Sequence, residues 1–92
     1  MLERAKEILE QGQTVEMVEL AGSGKQVKYA KDLRRIYFPR IFVHLPSLIS
    51  DYEAYQNDED ADEYAEDLQE AVDNFNVLTA EKSAGKLINH LC

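Results

Sequence analysis

One cysteine, Cys92, and no tryptophan occur among the 92 residues. A lone thiol excludes an internal disulfide, and a cytoplasmic protein is expected, with no basic-apolar leader ahead of the first helical pattern. Only two histidines are present, His44 and His90. The pair His90 and Cys92 is half of the four-ligand set a structural zinc needs, so no metal and no cofactor is expected. No apolar run approaches the roughly 18 residues of a membrane span. Glycine and proline are few, four and two residues, and no low-complexity linker divides the chain, which reads as one domain over residues 1–92.

The largest absence is of positive charge. Between Asp51 and Asp73 stand eleven Asp and Glu and no Lys or Arg, in a chain of formal charge −8. Residues 1–40 hold eight basic and six acidic residues, a balance of +2, and residues 41–92 hold two and twelve, a balance of −10. The basic residues Lys25, Lys28, Lys31, Arg34, Arg35 and Arg40 are interrupted only by Asp32. Segregation of this kind selects partners by charge, a second copy of the chain included. It opposes direct nucleic-acid binding and attachment to anionic lipid.

What is present is enough apolar surface for a modest core: 45% apolar residues, with five Tyr and three Phe. Leu2, Ala5, Ile8 and Leu9 recur at helical spacing, and Gly12 stands where a left-handed cap would close a helix over 2–11. Thr14 to Leu20 is rich in β-branched residues and is followed by Ala21-Gly22-Ser23-Gly24, which predicts a hairpin returning through Gln26 to Ala30. In 31–45 two periods compete. Tyr29, Leu33, Ile36 and Tyr37 fit a helix, Ile41, Val43 and Leu45 alternate as a strand, and Pro39 separates them, which predicts a helix ending near Tyr37 and then a short edge strand. Ser47 can cap a following helix bearing Leu48, Ile49, Tyr52 and Tyr55, which ends near 57–60. The strongest periodic stripe is Ala61, Tyr64, Ala65, Leu68, Ala71, Val72 and Phe75. That helix is expected to close over 74–78, with Thr79 capping a last one. The expected fold class is α+β: an N-terminal helix, a small antiparallel hairpin or three-stranded sheet, and a C-terminal helical half, with all-α as the alternative.

Three fragments of known motifs fail on chemistry. A phosphate-cradling loop around Gly22, Gly24 and Lys25 would need glycine where Glu19 stands and a hydroxyl where Gln26 stands. Asp58, Asp60 and Asp62 begin like a calcium loop, but Glu63 replaces the sharp-turn glycine and Gln69 the bidentate glutamate. Cys92 lacks a positioned base. No catalytic residue is therefore assigned.

The expected function is that of a non-enzymatic acidic interaction protein binding a basic surface on a partner protein. Its contact residues would be Asp58, Asp60, Asp62, Glu63, Glu66, Asp67, Glu70 and Asp73, with Tyr52 and Tyr55 as anchors. The sharpest form is an inhibitor that mimics nucleic acid against a nucleic-acid-binding enzyme. Compact, acidic, motif-free chains of this kind resemble, in type, phage-encoded inhibitors of such enzymes, although no shared motif carries the likeness. Lys28, Lys31, Arg34 and Arg35 form a secondary basic surface. They would neutralise the acidic run within the chain, or across a homodimer. In the alternative, a small virion or complex component, basic and acidic faces of successive copies join.

Overall fold

The computed structural model describes residues 2–12, 15–57, 59 and 61–91, and within them the chain is all-α. Four helices follow in order: α1 (Leu2–Gln11), α2 (Gly24–Ala54), α3 (Ala61–Ala80) and α4 (Ala84–Leu91). The expected α+β class, with its hairpin or three-stranded sheet, is overturned. Among the described residues no strand forms, and a single parallel bridge between Ala21 and Ser83 is the only ladder contact.

The expected hairpin fails because its turn is a helix start. Ser23 caps α2 in a reciprocal box: its Oγ accepts from the Gln26 amide at 3.2 Å, while Gln26 Oε1 accepts from the Ser23 amide at 3.2 Å. Two orphan donors are satisfied together, which fixes helical geometry over Gln26 to Ala30 in place of a returning strand. The β-branched segment before it, described from Val15, runs irregularly and sends its backbone bonds elsewhere. The Val18 amide donates to Thr79 O at 2.9 Å and the Ala21 amide to Lys82 O at 2.7 Å, while Ala21 O accepts from the Ala84 amide at 2.9 Å. The segment thus laces onto the α3–α4 junction.

The second correction concerns 31–45. No helix ends at Tyr37 and no edge strand follows, because α2 continues through both Pro39 and Pro46 for 31 residues. A mid-helix proline removes a donor and costs about 3 kcal/mol in isolation. Both prolines are exposed, and two helical turns separate them, so they share one outer side while Phe38, Ile41, Leu45 and Ile49 are buried on the inner side. Burial of those four offsets the penalty, each large apolar side chain contributing about 1.5–3 kcal/mol. Val43, which alternation would place beside Ile41 and Leu45, is 70% exposed. Ser47 lies inside α2 rather than capping a new helix, and α2 ends at Ala54.

α3 buries Leu68, Val72, Phe75, Leu78 and Thr79, and so overruns its expected close by running to Ala80. Thr79 does not cap α4; its hydroxyl donates back to Phe75 O at 2.8 Å. Ser83 takes the capping role, its Oγ accepting from the Lys86 amide at 3.3 Å. α1 matches its expected span, and Gly12 adopts φ +67° beyond its end.

α2 and α3 form the central antiparallel pair. Tyr55 stacks on Tyr64 at 4.9 Å at one end, and Phe38 stacks on Phe75 at 5.9 Å further along. α1 covers one side of this pair, placing Ala5 and Ile8 in the main core, while α4 packs Ala84 and Leu87 with Leu20, Ala30 and Leu33 in a second cluster. At about 1.5 Å per residue α2 is roughly 46 Å long. It therefore sets the longest dimension of the molecule, 47 Å in an outline of 47 × 24 × 17 Å.

Candidate interaction surface

The acidic residues of α3 segregate by angle. At about 100° per residue, Asp62, Glu63, Glu66, Asp67, Glu70 and Asp73 fan through roughly 140° of the helix, and Ala61, Tyr64, Ala65, Leu68, Ala71, Val72 and Phe75 occupy the opposite arc. The two arcs match the burial: all six acids are exposed, and all seven apolar residues are buried or half-buried. Six carboxylates over twelve residues, about 18 Å of helix, put one charge on roughly every 3 Å of axis. Asp58 and Asp60, also expected at this site, lie outside the described residues.

The two expected anchors behave differently. Tyr52 is half-buried and packs against the main core, so it supports α2 from inside. Tyr55 is 43% exposed, and its ring lies nearly parallel to that of Tyr64, at 17°. An aromatic stack of one exposed and one half-buried ring thus joins the C-terminal end of α2 to the start of α3.

Among the described residues no ion pair reaches this face: the pairs are Arg4–Glu7, Lys6–Glu53 and Arg35–Asp32, each at 3.4 Å, and none involves α3. Lys28 and Lys31 are exposed. Arg34 is tied down locally, donating to Val18 O at 2.8 Å, and burial lowers its pKa from the ordinary arginine value. The reason is position along α2. Tyr55 lies level with Tyr64, so Lys28, 27 residues earlier in the same helix, stands about 40 Å from that end of the acidic face. Lys28 and Lys31 therefore stand far from Asp62 and Glu63, whereas Arg40, further along α2, shares a groove with Asp67 and Glu70.

A groove of about 450 Å³ runs between α2 and α3 on the side that α1 leaves uncovered. Tyr37, Arg40, Ile41, His44, Ser47 and Leu48 line it from α2, and Asp67, Glu70, Ala71, Asn74 and Leu78 line it from α3, with Leu91 of α4 at one end. Both sets include residues at i, i+3, i+4, i+7 and i+11, and α2 adds Ser47 at i+10, so each helix offers one continuous stripe. Arg40 lies over the Tyr37 ring at 5.4 Å. A smaller hollow of about 300 Å³ on the acidic face is bounded by Glu66, Gln69, Glu70, Asp73, Asn74 and His90. There His90 Nε2 is 2.9 Å from Asn74 Oδ1, and Gln69 Nε2 donates to Asp73 Oδ1 at 2.8 Å.

Reading 41–45 as a strand hid the groove, because it broke the α2 stripe at Ile41. The matching spacings in the two segments were the available signal. No group of three or more His, Cys, Asp or Glu among the described residues is arranged to hold a metal ion, and no described helix is long and apolar enough to cross a membrane. No protein-family model matches the chain, nor does any curated protein or solved structure.

Proposed function

We propose that this is a non-enzymatic interaction protein that occupies a basic surface on a partner protein, with the outer face of α3 making the contact. One observation carries the reading: six exposed carboxylates stand on a helix whose back is fixed in the core, and no ion pair with the chain's own cations touches them among the described residues. Like-charge pairs four apart, such as Asp62/Glu66, Glu63/Asp67 and Glu66/Glu70, each cost about 0.2–0.5 kcal/mol. A cationic partner relieves that repulsion, so the face gains most when it is covered. The setting proposed is the cytoplasm, where a single thiol stays reduced.

In its sharpest form the partner is a nucleic-acid-binding enzyme and the protein its inhibitor. One charge per ~3 Å of helix axis is close to the ~3.4 Å per phosphate along one strand of B-form DNA. A groove built to count phosphates therefore meets a similar linear charge density on α3. The test is competition. A partner held by the immobilised protein should be released by duplex DNA or RNA in proportion to its own affinity for that duplex. Retention under saturating duplex would exclude mimicry.

The distance of Lys28 and Lys31 from Asp62 and Glu63 along the molecule favours a second reading, an assembly subunit joined head to tail. Its signature is self-association that weakens as salt rises.

A further inference from the structure

We infer that the groove between α2 and α3 is a docking site for an amphipathic helix of the partner, with cations along the flank that faces α3. This inference rests on the proposed basic partner and adds the element by which that partner is held.

The shape selects a helix. Asp67 to Leu78 covers about 17 Å of α3, three helical turns, and the opposing α2 stripe is of matching length. Both walls are helices and present no strand edge, so an extended strand finds no ladder to join; recognition must come from side chains, as in helix-in-groove binding. The floor of Ile41, Leu48, Ala71 and Leu78 is apolar, and Ala71 ends at its Cβ, which lets an incoming ridge sit low.

The charge selects which helix. The α3 wall presents Asp67 and Glu70, with Glu63, Glu66 and Asp73 beyond them on the same exposed face. The α2 wall presents Arg40 and His44. An occupant with Lys or Arg along one flank and neutral or acidic residues along the other satisfies both walls, whereas an acidic flank on the α3 side meets like charge. A second copy of the chain also owns a cation-flanked apolar stripe, with Ile36 and Val43 on the outside of α2. It arrives, however, with a net charge of −8 against the same −8.

The test uses labelled helical peptides of about 18 residues. One carries a leucine ridge with Lys on one flank and Glu on the other, the second has the same ridge with Glu on both flanks, and the third keeps the Lys flank but has Ser in place of the ridge. The first should bind saturably, and the others should bind at least about tenfold more weakly. Ala71→Gln, which fills the floor without adding charge, should weaken the first peptide by a similar factor with an unchanged circular dichroism spectrum. The exposed pair Asp67→Asn and Glu70→Gln should erase the preference for the first peptide over the second. If the ridgeless peptide binds as well as the first and Ala71→Gln has no effect, the groove is not the site, while the basic-partner reading stands. If the two ridged peptides bind equally, charge does not select the occupant and both readings fall. If sedimentation shows the protein already dimeric, and the dimer is broken by Val43→Glu, the groove belongs to a second copy and the inference is wrong.

Discussion

Val43 is the residue that separates the two ways of reading the middle of the chain. In a strand it would share a face with Ile41 and Leu45; in α2 it points outward at 70% exposure while Leu45 is fully buried. Leu45→Ala should therefore destabilise the protein by about 2–5 kcal/mol and Ile41→Ala by about 2–4 kcal/mol. Val43→Ser should change stability by less than about 0.5 kcal/mol. Chemical denaturation of the three variants is the check, and similar losses at all three positions would restore the strand. Arg34 is held differently from its neighbours in the basic stretch. Grouped by sequence with Lys28, Lys31 and Arg35 in a secondary basic surface, it holds the Val18 carbonyl through its guanidinium, and its Nε is buried without a partner. A cation in a basic run can be a structural clamp, and composition alone does not tell the two apart.

Among the elements, α1, the apolar stripe of α3 and α4 were legible because their periodicity is strong and nothing interrupts it. α2 was not, and the reasons are local. Pro39 and Pro46 are each a good reason to end a helix, since local rules weigh a lost donor and a ring clash without the tertiary burial that outweighs them. Likewise Gly22 and Gly24 resemble a hairpin turn until Ser23 and Gln26 are seen as a capping box. Gly22 does adopt φ +151°, a conformation L side chains rarely take, but there it leads into the cap. Because both prolines lie on the outer side of a continuous helix, replacing each by alanine should stabilise the protein, by about 1–2 kcal/mol per site. This allows for the entropy that proline removes from the unfolded chain. Thermal melts of Pro39→Ala and Pro46→Ala report this directly; lower melting temperatures would mean that the bends are required by the packing. The acidic stretch was legible as a helical face, whereas the groove beside it was not, since it needs an intact α2 stripe as its second wall.

For the whole molecule the consequence is a rod of 47 × 24 × 17 Å, with Lys25, Lys28 and Lys31 on the N-terminal turns of α2 and Asp62 and Glu63 beside its C-terminal end. Such a charge dipole orients an approaching partner before contact and makes association sensitive to ionic strength. As a monomer it should keep a radius of gyration near its Cα value of 14.3 Å at every salt concentration. Head-to-tail assembly would raise that value at low salt, and small-angle scattering distinguishes the two. The central claim is that the outer face of α3 binds through charge. Its most direct test is a salt titration of partner affinity for the native protein and for a variant combining Glu63→Lys, Glu66→Lys, Glu70→Lys and Asp73→Lys, with the fold checked by circular dichroism. The account predicts that native affinity falls steadily with the logarithm of salt concentration and that the folded variant loses binding by roughly 100-fold or more. Full affinity in the variant, unchanged across the salt range, would contradict it.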